Sequence, residues 1–344
     1  MSLTSTLTGF ASDLSFNKLP SSVVNMSKRV FLDWLECAVA GSTAPGSREI
    51  VEMINGFEGR EEASIIPFDL KAPRPNAALA NGTISHALDF DDTHDEAVLH
   101  TSVAVAPAAL AVAEVERLSG RDFIAALVAG METHIRIGLG CTTGPGQSGW
   151  IYTASIGTFG AAVAAGKVLG LSEEQMINAV GVAYSAASGN IQSVISGSLS
   201  KRLQPGLSAM SGVLAALLAQ KGFTGPVDTL EGRFGFYNVY QQGNYRLDRP
   251  VEGLGERFEV LNLSLKPYPC CRFTHTAIDA AIKVTNMHDI NVNDVEEVKA
   301  YVHSQTYSVV CDPLERKIHP QTIVDAQFSL PYTAACGLVQ KRVV

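Results

Sequence analysis

Residues 103–122 read Val103-Ala104-Val105-Ala106-Pro107-Ala108-Ala109-Leu110-Ala111-Val112-Ala113-Glu114-Val115-Glu116-Arg117-Leu118-Ser119-Gly120-Arg121-Asp122. The alanine content predicts a helix with Pro107 early in it and Leu118 at its end. Ser119 and Gly120 break that helix, and a second one starts near Asp122 and carries Met131 to Arg136. The apolar run Val103 to Ala113 is too short and too broken to span a bilayer, so this is a packed helix and no membrane partner is expected.

The same pattern extends in both directions. Pro20-Ser21-Ser22 opens a helix whose apolar side includes Phe31, Trp34, Leu35 and Ala38, and Gly41 closes it. Ser172-Glu173-Glu174-Gln175 is a capping box that opens a helix to about Ser188. Helices at 155–169 and 207–221 are crowded with Ala, Gly and Ser, which lets backbones approach closely and predicts central packing. The texture changes near Lys266. Thr274 to Met287 is one amphipathic helix. Residues 294–303 alternate, with Val298, Ala300 and Val302 on one face and Glu297, Lys299, Tyr301 and His303 on the other, which predicts a half-buried strand. Residues 322–338 read as helix again. The expected fold is mainly α, with an all-helical domain over 1–265 and a smaller, partial α+β lid domain over 266–344. No repeat and no low-complexity linker interrupts it.

The bulk composition agrees. The chain has 344 residues, enough for two domains and a large core. Only 17% are charged against 46% hydrophobic, which predicts extensive burial and a subunit interface. A net charge of −8 with no basic run argues against nucleic acid. The six cysteines form no C-x-x-C pair and no zinc-like spacing, as expected of reduced thiols in a cytoplasmic protein. The amino terminus has no signal-peptide pattern.

Chemistry concentrates in residues 86–100. Five acidic residues (Asp89, Asp91, Asp92, Asp95, Glu96) and three histidines (His86, His94, His100) fall within fifteen positions. Asp91-Asp92-Thr93-His94-Asp95 matches D-D-x-x-D, by which all-α isoprenoid synthases hold a magnesium diphosphate. That chemistry needs a second acidic motif, and none is found. Asp95 and Glu96 also fit a solvated surface, whereas Asp89, bracketed by Leu88 and Phe90, does not. The basic candidates are few. Lys201-Arg202 lies in a turn-rich Gly/Ser/Pro stretch. Lys266 and Arg272 flank Pro-Tyr-Pro-Cys-Cys, just before the helix that carries His275. Such lysines beside helix N-termini suit carboxylates, and two of them suggest a di- or tricarboxylate. Tyr332, after Ser329-Leu330-Pro331, is either a proton donor or a core aromatic. Cys270 and Cys271 read as small buried hydrophobes rather than nucleophiles.

Several blocks resemble the MmgE/PrpD family, in the family's order and over essentially the whole chain. They are Pro75-Asn76-Ala77-Ala78-Leu79-Ala80-Asn81-Gly82-Thr83, His86-Ala87-Leu88-Asp89-Phe90-Asp91-Asp92-Thr93-His94 with His100, Gly222-Phe223-Thr224-Gly225-Pro226, Lys266-Pro267-Tyr268-Pro269-Cys270-Cys271-Arg272 with His275, and Asp325-Ala326-Gln327-Phe328-Ser329-Leu330-Pro331-Tyr332. The family includes 2-methylcitrate dehydratase, cis-aconitate decarboxylase and iminodisuccinate epimerase. The resemblance implies a helical domain with a smaller α+β lid, a homodimer, and no metal or organic cofactor. Carried over by position, it implies a pocket with Asp89, Thr93 and His100, then Lys201, Lys266, Cys271 and Tyr332.

Two departures stand out. Many members have a histidine after Gly-Trp, where Gly149-Trp150 is followed by Ile151. Many have Leu-His where this chain has Leu203-Gln204. Loss of two imidazoles removes proton-transfer groups and counts against a plain 2-methylcitrate dehydratase or cis-aconitate decarboxylase.

The resulting expectation is a cofactor-independent lyase or isomerase (dehydratase, decarboxylase or epimerase) for a citrate-like acid. It would work through proton abstraction or carbanion formation next to a carboxylate. His100 is the principal acid/base, Asp89 orients or tunes it, and Thr93 and Tyr332 donate hydrogen bonds or protons. Lys201 and Lys266 steady the charge, with Arg272, Cys271, His275 and Gln204 around the substrate. The alternatives are a non-catalytic relative that binds a carboxylate metabolite and, less favoured, the magnesium–diphosphate reading. By comparison with the family the chain is also expected to be C-terminally truncated, with a loosely ordered segment after about Lys266 and weak activity.

Overall fold

A computed structural model describes residues 2–288 and 290–341. The chain is mainly α with a small antiparallel part. It divides into two compact units: Met1–Ala87, Asp91–Asn190 and Arg202–Leu265 form the first, and Leu88–Phe90, Ile191–Lys201 and Lys266–Val344 the second.

In the first unit, helices Ser102–Glu116, Gly120–Leu139 and Gly157–Val168 pack on one another at the centre. Their small residues explain how closely. A Cβ on Gly130 would lie 2.7 Å from the Gly160 carbonyl oxygen, and one on Gly160 would lie 2.8 Å from that of Gly130. Neither position admits a side chain without separating the helices. Around this core lie Ser21–Gly41, Arg74–Ser85 and Glu173–Tyr184, the last capped by the Ser172/Gln175 box. Trp34, expected on the apolar side of its helix, is fully buried.

The helix foreseen at 207–221 is longer, Ser200–Gln220, and takes in the stretch read as turn-rich. Pro205 lies inside it, where it lacks the N–H that would bond the Lys201 carbonyl. Gly206 serves a close crossing instead of a turn, since a Cβ there would sit 2.4 Å from both Leu79 O and Thr83 Oγ1. The pairs Ala63–Ser64 with Lys71–Ala72 and Thr93–His94 with Leu263–Ser264 are antiparallel. Strand pairing therefore occurs in the part of the chain expected to be wholly helical.

In the second unit, His275–His288 packs on Leu330–Gln340, with Gly337 against Ile278 and Ala281. Two expectations for this unit need correction. Residues 322–338 form two helices, Ile323–Gln327 and Leu330–Gln340, because Ser329 takes an extended conformation and caps the second through Tyr332 N–H. The strand expected over 294–303 is not formed. Residues 295–303 pair with no strand among the described residues, and Val298 and Tyr301 are exposed. Alternation alone does not make a strand, because the ladder hydrogen bonds require a neighbour.

Candidate active site

Within the first unit, the Arg74–Ser85 helix ends at His86, which is buried. Its Nδ1 lies 2.9 and 3.0 Å from the two carboxylate oxygens of buried Asp91. His100 sits beside this pair, its ring centroid 5.4 Å from that of His86. His100 Nδ1 lies 2.8 Å from the Asp92 carbonyl oxygen, 3.1 Å from Thr93 Oγ1 and 3.4 Å from Asp91 Oδ2. A carbonyl oxygen only accepts, so Nδ1 carries the proton. The neutral ring then presents Nε2 as its basic nitrogen. The pairing of Thr93–His94 with Leu263–Ser264 fixes Thr93, and the Thr153 hydroxyl accepts the His100 backbone N–H at 3.0 Å.

The carboxylates of the D-D-x-x-D stretch are divided among different partners. Asp92 accepts the N–H groups of Thr101 (3.2 Å) and Ser102 (3.0 Å) at the start of the helix Ser102–Glu116. Burial lifts its pKa to about 6, against the pull of Ser102. Asp95 is exposed and accepts the Ser264 hydroxyl, and Glu96 pairs with Arg249. Asp33, on helix Ser21–Gly41, is lifted to about 7 by burial first and then by the charges of Asp92 and Asp91. Gln204 accepts the Asn190 N–H at 2.6 Å and donates to the Asn190 carbonyl at 3.2 Å, so its amide braces a loop. Ile151 is half-buried.

Within the second unit, Asp89 adopts φ 52°, in the left-handed region that Asp tolerates better than most residues. Its Oδ1 accepts Lys201 Nζ, while Lys266 Nζ lies 3.0 Å from Oδ2 and 2.6 Å from the backbone oxygen. All three side chains are buried. Lys201 Nζ also stands 4.8 Å from the centroid of the Phe328 ring. The loop before Lys201 is tied down: Arg316 donates to Ser196 O at 2.7 Å, and Thr322 Oγ1 to Gly197 O at 3.0 Å. Gly197 has φ +62°, and a Cβ there would fall 2.5 Å from Asp325 Oδ1.

The Cys271 N–H donates to Gln327 O at 2.9 Å. Burial pushes its thiol up to about 12 and that of Cys270 to about 11, so both are neutral, inert groups. His275 is buried, 3.1 Å from Cys270 O through Nε2, and burial lowers its pKa to about 4. Arg272 lies in the turn that leads into that helix. Tyr332 is 42% exposed and lines a cavity of about 210 Å³ with Cys270, Gln327 and Cys336.

The fold thus brings His100 to Thr93 in one unit, and Asp89 to Lys201 and Lys266 in the other. His86 and Asp91 belong beside His100 but were not singled out, although both stood in the acidic block. Their spacing crosses a helix end, where no periodic face shows. Asp33 was also missed. Its signal was an acidic residue next to Trp34 on the helix side that turns out to be buried.

The family model described as MmgE/PrpD N-terminal domain matches residues 5–248, and the one described as MmgE/PrpD C-terminal domain matches residues 268–344. A cis-aconitate decarboxylase of Aspergillus terreus (strain NIH 2624 / FGSC A1156) is 31% identical over 99% of this chain and 72% of its own length. The cis-aconitate decarboxylase-like protein oryM of Aspergillus oryzae is 29% identical over 99% of this chain and 74% of its own. The cis-aconitate decarboxylase of Homo sapiens is 28% identical over 79% of this chain and 57% of its own.

Proposed function

This chain belongs to the MmgE/PrpD family, and from that premise we propose that it is a lyase that decarboxylates a citrate-like tricarboxylate, with cis-aconitate the first candidate. The observation that carries the reading is the buried Asp89 held between two lysine ammonium groups in a relative of cis-aconitate decarboxylases. In the proposed reaction the bond to one carboxylate breaks and CO2 leaves. The electron pair stays on the carbon skeleton and spreads into a remaining carboxylate as an aci-acid, and a proton completes the product. Lys201 and Lys266 are assigned the carboxylates, because preorganised cations stabilise that charge.

His100 is assigned the proton transfer, with Asp91, Thr93 and the Asp92 carbonyl as its orienting groups. Asp89 is assigned to hold Lys201 and Lys266 in place, a role different from the one first read for it. Tyr332 is a hydrogen-bond donor, and Arg272, Cys271 and His275 shape the surroundings of Lys266. Each role falls to a side chain, so no metal or organic cofactor is assigned.

A second reading, a divergent relative that binds but does not turn over, is favoured by Gln204, whose amide is committed to Asn190. NMR of the protein with cis-aconitate and a panel of citrate-like acids separates the two. Loss of one carboxylate carbon as CO2 supports the lyase. Binding without turnover of any acid supports the second reading and ends the first.

We also propose a homodimer. Leu207, Leu214 and Leu218 recur on one side of helix Ser200–Gln220 and are 36%, 42% and 41% exposed, a stripe that a second copy would cover. Light scattering showing only monomer at micromolar concentration would contradict it.

A further inference from the structure

The helix Leu314–Ile318 carries Arg316 and Lys317, and the two side chains meet different fates. Arg316 pairs with Asp325 through two bonds, Nε to Oδ1 at 2.9 Å and Nη2 to Oδ2 at 3.1 Å. The Gln321 N–H also reaches Asp325 Oδ2, at 3.3 Å, so that carboxylate is amply satisfied. Lys317 is 1% exposed. Its ammonium makes no hydrogen bond or ion pair with any described residue, although its backbone oxygen accepts the Ser329 hydroxyl. The groups that act on it are Cys271, Asp325, Arg316 and Cys311. The two thiols are neutral, because burial raises both. The Asp325 charge is offset by Arg316.

A buried charge without a counter-ion is costly and calls for an anion. The neighbouring segment links Lys317 to the other lysines. Residues 327–329 contact Cys271 through Gln327 O, Lys201 through the Phe328 ring and Lys317 through the Ser329 hydroxyl. Asp89 offsets one of the charges of Lys201 and Lys266. Lys317 adds a further positive charge to the same unit.

We propose that Lys317 is a carboxylate-binding residue, a third ammonium that selects a tricarboxylate over a dicarboxylate. The inference rests on the substrate class proposed above and not on the decarboxylation step. Its test is calorimetric titration of the intact protein and of Lys317→Met with tricarballylate, a saturated tricarboxylate, and with glutarate, a dicarboxylate. Wild type should bind tricarballylate about tenfold or more tighter than K317M, as expected for a hydrogen bond to a charged group. Glutarate affinity should change far less. Equal tricarballylate affinity in the two proteins overturns the proposal, as does a wild type that binds neither acid. K317M-sensitive binding without turnover of cis-aconitate leaves this site standing and removes the decarboxylase reading.

Should K317M not fold, wild type is treated with cyanate and lysine carbamylation is mapped by mass spectrometry. Tricarballylate seated on Lys317 should protect it from carbamylation. Unchanged Lys317 labelling in saturating tricarballylate overturns the proposal.

Discussion

Two clusters, one in each unit, meet their buried carboxylates with different partners. In the first, the carboxylates of residues 91–92 are met by imidazoles and by the N–H groups at a helix start. Burial lifts the Asp92 pKa to about 6 against those hydrogen bonds, and lifts that of Asp33, on the helix Ser21–Gly41, to about 7. In the second, Asp89 is met by Lys201 and Lys266, and Asp325 by Arg316. Against burial, Arg316 and the neighbouring hydrogen bonds hold the Asp325 carboxyl below the usual carboxylate range, and Asp89 is matched by two ammonium groups. Neighbouring residues of one short stretch thus take different work according to the unit they join. His86 and Asp91 sit beside His100, and Asp89 sits with Lys201 and Lys266.

The comparison breaks most visibly at His100. His100→Ala should cut turnover by about 10²–10⁴, the range for a general acid or base, with folding intact by circular dichroism. Undiminished turnover would remove proton transfer from the first unit. Next in size is Lys266→Met. Removing one partner of a buried ion pair should cost about 3–5 kcal/mol in urea denaturation, since Asp89 then keeps only part of its compensation. A loss below 1 kcal/mol, within the range of an exposed pair, would mean that Asp89 does not depend on its charge partners.

A third test uses pH. The folded pKa of Asp33, about 7, lies above its unfolded value near 4, so the folded protein binds the extra proton between those limits. The stability contributed by that proton is fully present below pH 4 and lost as pH rises to about 7. Asp33→Asn should flatten this part of the stability–pH curve. An unchanged slope would show that the first unit does not hold its carboxylates protonated.

The smallest effect is expected at Tyr332, which is 42% exposed. Tyr332→Phe should lower turnover by about tenfold at most, the worth of one hydrogen bond. A loss near that of His100→Ala would move proton transfer to the second unit.

Much of this was legible beforehand. The helix caps at Ser119 and Ser172 carry local chemistry that acts within one turn, whereas Gly41 serves a close contact, a Cβ there falling 2.2 Å from the Ile84 carbonyl oxygen. Asp89, Lys201 and Lys266 were legible as scarce charges in apolar or Gly/Pro-rich settings. The strand over 294–303 was misread because alternation reports which side chains share a face, not whether a neighbouring strand exists. The role first read for Asp89 followed from its distance in sequence to His100, which says nothing of side-chain direction.

The sequence by itself determined that the chain is mainly helical, low in charge and rich in small residues where helices cross, because periodicity, capping and residue size act locally. Only the tertiary structure decided which carboxylate faces an imidazole and which faces an ammonium. That choice depends on contacts such as Asp89 with Lys201 and Lys266, separated by 112 and 177 positions. It also left Lys317 buried without a counter-ion, since burial is set by how distant segments pack and no local pattern encodes it.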